Sequence, residues 1–351
     1  MQHNRAEVKI LSLNGGGVRG LFTISVLAEI ERILEEENNR VDVKIGEYFD
    51  LITGTSIGGL LALALASGKS ARELEKVFRE EASKIFPPLS KCRKAWRKLF
   101  GAAYSSEPLR NVVQSMVGED TRFHDLGIRV MIPAINLSTG KPQFFKTAHN
   151  SAFSRDGRLK LIDAAMATSA APTYFRPYYC EDLSAYFVDG GLVANNPSLI
   201  GMHEVFRDMG EDFPDATASD VKILNIGTLG EEYTVSPAAL SAKRNNGYWK
   251  LWGIGERLVL TTMTANQLLH KAMLLRELAH SGALANYVYV DDTIPNEAAK
   301  DITIDNASES SLRNLASRGK QIATERYTAD RNLQHFFKHQ AAPFKRRSNK
   351  E

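Results

Sequence analysis

Three short segments carry residue types at spacings that can do chemistry. Gly54-Thr55-Ser56-Ile57-Gly58 reads G-x-S-x-G, after a strand-like run over 48–53 and before an Ala/Leu-rich helical run from Leu60. In that setting a serine rides a sharp strand-to-helix turn, with its hydroxyl projecting as a nucleophile and the positive end of the helix behind it. The flanking glycines let the backbone turn without a Cβ clash. The same five residues also fit a plain glycine-rich connection in which Ser56 caps the helix. Gly15-Gly16-Gly17-Val18-Arg19-Gly20 lies in a similar place, between a strand and a helix. It matches G-x-G-x-x-G, but a dinucleotide site needs an acidic residue at the end of a second strand about 20 residues on. Glu35 to Glu37 fall inside a helical pattern instead, and the Gly-Lys-Ser/Thr of a phosphate-binding loop is absent. The other use of such a loop is an oxyanion hole, in which successive amides point at one developing negative charge. Arg19 would then hold the loop or add positive potential. Asp189-Gly190-Gly191 follows Tyr186-Phe187-Val188 and reads either as an ordinary β-turn or as a carboxylate on a tight turn that can approach Ser56.

These segments need a scaffold that brings them together. Alternation and β-rich composition predict a strand over 8–13, followed after the first glycine cluster by a helix over 21–36. The strand over 48–53, the second glycine turn and the next helix repeat the pattern, which argues for an α/β fold with a mostly parallel sheet. A helix over 70–85 starts at Ser70 with Glu73 three residues on, a capping-box pattern, and stops at Pro87-Pro88. Further helices are expected over 107–117, 161–169 and 308–325. Strands are expected over 129–135, 141–147, 186–188, 221–226 and 287–290. Residues 231–285 are mainly helical by periodicity. Because the glycine turns and Asp189 must meet, one domain over 8–340 is preferred, with a catalytic core over 8–230, a mostly helical region over 231–340 and a basic tail over 341–351 expected to be disordered.

Composition narrows the function classes. The 351 residues are 43% hydrophobic and 24% charged, an ordinary globular balance, and a formal charge of +3 does not suggest a nucleic-acid polymer as partner. The two cysteines, Cys92 and Cys180, are too few for a disulfide framework or a zinc site, and no His/Asp/Glu cluster has ligand spacing, so no metal requirement is expected. The first seven residues are polar and do not read as a leader, and the longest apolar run, 60–66, is far short of a bilayer span. A cytoplasmic protein is expected, one that would reach a lipid from the water side.

Together the three segments resemble the patatin-like phospholipases, which pair a G-G-G-x-R-G loop, a G-x-S-x-G elbow and a late D-G-G or D-G-A in this order. Ala167-Thr168-Ser169-Ala170-Ala171-Pro172-Thr173-Tyr174-Phe175, ahead of Asp189, and Asn195-Asn196-Pro197, after it, are also similar to that family, and the likeness covers roughly 8–230. The resemblance implies a three-layer α/β/α fold and a Ser–Asp dyad without histidine. Ser56 would be the nucleophile, Asp189 its base, and the Gly15, Gly16 and Gly17 amides the oxyanion hole, with Arg19, Gly20, Gly54, Gly58, Gly190 and Gly191 in support. No cofactor is implied for catalysis. Among patatin-like proteins the chain looks most like short bacterial effectors of anti-phage signalling. That implies activation by a cyclic dinucleotide such as cyclic GMP–AMP and attack on the inner face of the cell membrane. The rival enzyme reading is a Ser-His-Asp esterase, for which His203, His270 and His280 follow Asp189 in the required order but lie in helical sequence. A non-catalytic nucleotide-binding module would leave the Ser56 turn unexplained. Two further segments are candidates for access or regulation. The stretch 91–100, with five basic residues around Trp96, Leu99 and Phe100, suits an anionic membrane surface, a lid or a solvated loop. Arg244, Lys250, Trp252 and Arg257 offer charge and stacking to a nucleotide, though they read first as a solvated helix face.

Overall fold

A computed structural model describes residues 7–90, 97, 101–230, 240–241, 251–253, 255–292, 302–344 and 346. Its centre is β1 (Val8–Leu13), β2 (Leu51–Gly54) and β7 (Val221–Ile226), whose apolar side chains are buried on both faces. Unbroken apolar runs of this kind belong to parallel strands covered on both sides. The sheet runs β5 (Tyr178–Cys180), β6 (Ala185–Asp189), β3 (Arg129–Asn136), β2, β1, β7, β8 (Tyr287–Val290), with β4 (Lys141–Lys146) paired to β3 off this path. The pairs from β3 through β2, β1 and β7 to β8 are parallel, and β4, β5 and β6 join antiparallel.

Alternation along the strands sorts side chains into two cores. Leu11, Leu13 and Ile52 face a layer that includes α1 (Gly20–Asn38), α2 (Ile57–Ala66), α3 (Ala71–Ile85), α4 (Ser106–Val117), α5 (Leu161–Thr168) and α9 (Glu309–Ala329). Val8, Ile10 and Leu51 face α7 (Ser198–Asp208) and the C-terminal end of α8 (Glu256–His280). The short α6 (Gly191–Ala194) and α10 (Arg331–His335) complete the helices among the described residues. The capping box at Ser70 and Glu73 forms as its sequence predicts. The strand expected over 48–53 begins only at Leu51, because Tyr48 closes a 3-10 turn over Ile45–Tyr48; Tyr48 and Phe49 pack edge-on to Phe337.

Residues after 230 are woven into the body. They supply β8 at the sheet edge and α9 against α1. The tail, expected to be disordered from 341, starts in contact with the body: the Ala341 amide donates to Glu47 O, and Phe344 lies under the Arg129 guanidinium. Just before it, the buried Lys9 ammonium donates to the carbonyls of Phe336 and His339. Among the described residues no helix is long and apolar enough to cross a membrane.

Candidate active site

Ser56 sits between β2 and α2 at φ 55°, ψ −126°, a backbone state that side chains rarely adopt. Gly54 and Gly58 make the turn possible, since a Cβ on Gly54 would lie 2.1 Å from Gly58 O. Ser56 makes no capping bond to α2. Its Oγ donates instead to Asp189 Oδ2 at 2.6 Å, while Asp189 Oδ1 accepts from the Gly191 amide at 2.7 Å. The sheet register accounts for the meeting. Thr53 pairs with Met131 on one side of β3 and Asp189 with Ala134 on the other, so both turns leave the sheet beside the middle of β3. Asp189 is 1% exposed, and burial raises its carboxyl to about 6 against the opposing pull of the Ser56 and Gly191 hydrogen bonds.

The first glycine loop follows β1. The Gly15 amide is engaged by Asn195 O at 3.1 Å and the Val18 amide by Ile304 O at 2.8 Å, leaving the Gly16 and Gly17 amides without a partner among the described residues. Gly17 has φ 59°, and a Cβ there would lie 2.2 Å from Ile304 O, so only glycine admits the crossing chain so closely. Arg19 donates to Gly16 O at 3.4 Å, and burial lowers its pKa against the attraction of Asp291. Gly20 opens α1 against Ile57. A buried amide network ties this loop to the segment after Asp189. Asn225 donates to Ser12 O and Asn14 Oδ1, and Asn196 donates to Asn225 Oδ1. Glu35 to Glu37 lie within α1, not at a strand end, so the acid of a dinucleotide site is missing from its place.

Ser56, Asp189, Gly15, Gly16, Gly17 and Arg19 all line one cavity of about 470 Å³. Its walls are largely apolar and include Phe78, Ile85, Phe86, Phe175, Leu260, Met263, Ile302 and Ile304. Glu256, Asp291 and Asp305 bring carboxylates to the same space. Tyr174 donates to Glu256, and Tyr104 donates to Asp305 at 2.8 Å. No histidine lines the cavity among the described residues. His203 is exposed on α7, His270 is half-buried on α8 beside the Asn196 backbone, and His280 is exposed at the end of α8. Trp252 is half-buried and Arg257 exposed. Arg244, Lys250 and, apart from Arg97, the stretch 91–100 lie outside the described residues.

Several groups that shape the site carry no chemical signature in sequence. Asn266 on α8 accepts from the Asn195 amide and donates to Gly191 O, and Gln267 accepts from the Asn195 side chain. The helix that holds the Asp189 turn therefore also walls the cavity. The signal for it was a run of thirteen residues, 258–270, without a single Asp, Glu, Lys or Arg, in a region that periodicity marks only as helical.

The family model for patatin-like phospholipases matches residues 11–201. A cGAMP-activated phospholipase of Vibrio cholerae is 64% identical over 350 residues, which cover 98% of this chain and 98% of that one. A protein of the same description from Escherichia coli is 63% identical, covering 98% of this chain and 96% of its own. A third, from Pseudomonas aeruginosa, is 39% identical, covering 95% and 92%.

Proposed function

The chain belongs to the patatin-like phospholipase family, and from that premise we propose that it hydrolyses the acyl esters of membrane phospholipids through a Ser56–Asp189 dyad. The observation that carries this reading is the 2.6 Å hydrogen bond from Ser56 Oγ to a buried carboxylate in the lining of a largely apolar cavity. Asp189 Oδ2 takes the proton as Ser56 Oγ attacks the ester carbonyl carbon. The oxyanion that forms is met by the Gly16 and Gly17 amides, Gly15 being held by Asn195. Collapse breaks the ester bond, and the proton on Asp189 passes to the leaving lysophospholipid oxygen. Water then attacks the acyl-enzyme with Asp189 again as base, and the fatty acid leaves. A carboxyl raised toward neutrality is a better base than an ordinary aspartate, and its anchoring by Gly191 leaves one oxygen for Ser56.

Activation by cyclic GMP–AMP is carried over from relatives that match along nearly the whole chain. The proposed setting is peripheral, on the inner face of the cell membrane, in anti-phage defence. A phospholipase that waits for a nucleotide signal spares its host until then. The test is fatty-acid release from phospholipid vesicles by wild type, Ser56→Ala, Asp189→Asn and His203→Ala, with and without cyclic GMP–AMP. Release that depends on the nucleotide, is abolished by the first two changes and survives the third is expected. An inactive but folded His203→Ala would return the triad reading, and release independent of the nucleotide would remove the activator.

A further inference from the structure

We propose that Thr168 is a positioning residue for the dyad, holding both the Ser56 elbow and the Asp189 turn from one point at the end of α5. Nothing in the chemistry of acyl transfer requires this threonine, which touches neither reacting atom. Its role is read from its bonds. The Ser56 amide donates to Thr168 Oγ1 at 3.0 Å, and Thr168 Oγ1 donates to Pro133 O at 2.6 Å. The direction is forced: an amide can only donate and a carbonyl can only accept, so the hydroxyl proton points at Pro133 and its lone pair at Ser56. On the same residue, the Thr168 carbonyl accepts from the Gly190 amide at 3.3 Å, and two residues on, Ala170 O accepts from the Asp189 amide at 3.1 Å. One fully buried side chain and its backbone therefore fix the nucleophile's amide, the neighbouring strand β3 and the turn that carries the base. Ser56 stands in a strained backbone state, and such a state persists only where its surroundings over-determine it.

This inference rests on the dyad reading above. Thr168→Val keeps the shape of the side chain and removes both hydroxyl bonds, freeing the elbow to relax away from Asp189. With vesicles and cyclic GMP–AMP, kcat is expected to fall on the order of a hundredfold, as misplacement of a reacting group by about 1 Å can do, with KM unchanged. The acidic limb of the pH profile is expected to move up, because the Ser56 hydrogen bond is one of the two that hold Asp189 down. The cavity's other charged groups, Arg19, Glu256, Asp291 and Asp305, are untouched by the change and are not among the causes of that shift. A merely structural threonine would scale activity with the folded fraction at every pH and leave the limb in place. Thr168→Ser, which keeps the hydroxyl, should restore both kcat and the limb. If Thr168→Val does not fold, Thr168→Cys replaces it, and equal kcat and limb in the Cys and Ser variants would overturn the proposal. Wild-type kcat in a folded Thr168→Val overturns it directly while Ser56→Ala, assayed alongside, is inactive. An active Ser56→Ala would instead show that the dyad reading itself has failed.

Discussion

At Asp189, activity and stability depend on pH in opposite directions. As the proposed base the carboxyl must be ionised, so the rate of fatty-acid release should fall as pH drops through about 6. For stability, burial holds the folded-state pKa above the 3.8 of an ordinary aspartate, so the folded protein binds this proton more tightly than the unfolded chain. The buried charge destabilises the fold above about pH 6, and that penalty fades as pH falls toward 4. Asp189→Asn, which can still accept from Gly191 and meet Ser56, should therefore abolish release yet raise stability at pH 8 by about 1–3 kcal/mol. Urea unfolding at pH 8 and pH 4 checks this, and a gain of equal size at both would refute it. Ser56, Asp189 and the two glycine turns were legible in the sequence because their residue types are needed at fixed short spacings. Thr168 and Asn195 were legible only as parts of family-like stretches. Their work is done across bonds to residues far away in the chain, as in the 112-residue separation of Thr168 from Ser56, which no local spacing records.

Among the elements, α8 and the start of α3 are the two whose loss is most readily measured. Asn266→Ala on α8 would leave the Asn195 amide and Gly191 O without their bonds. A buried group left unpaired costs about 1–3 kcal/mol, and the slackened Asp189 turn should lower kcat roughly tenfold. An unaltered kcat and melting temperature would show that α8 does not brace the site. At α3, the buried Glu31 carboxylate accepts from the amides of Ile45, Ala71 and Arg72, joining the helix start to the loop before β2. Glu31→Ala strands three donors and should destabilise by about 2–4 kcal/mol in urea. Most element positions followed from periodicity. The division of labour did not, since an uncharged run such as 258–270 looks the same in sequence whether it walls a cavity or fills a core.

The whole molecule closes on itself through its C-terminal residues. Leu333, Phe336 and Phe337 are buried, the last two among Tyr48 and Phe49, and together they remove enough apolar surface to contribute about 5–8 kcal/mol. That is comparable to the net stability of a typical domain. Truncation after Asp330 should therefore leave a largely unfolded chain although every proposed site residue remains, and a cooperative thermal transition near that of wild type would contradict this. An α/β fold with a mostly parallel sheet could be read from two strand–glycine–helix repeats, whereas the return of the last residues to Lys9 could not, because phenylalanines carry no record of what they pack on. This return also sets a timetable. While the chain is leaving the ribosome, Ser56 and Asp189 are complete long before Ile302 and Ile304 can wall the cavity or the carbonyls at 336 and 339 can receive the Lys9 ammonium. An enclosed cavity thus waits on residues made well after the proposed site itself.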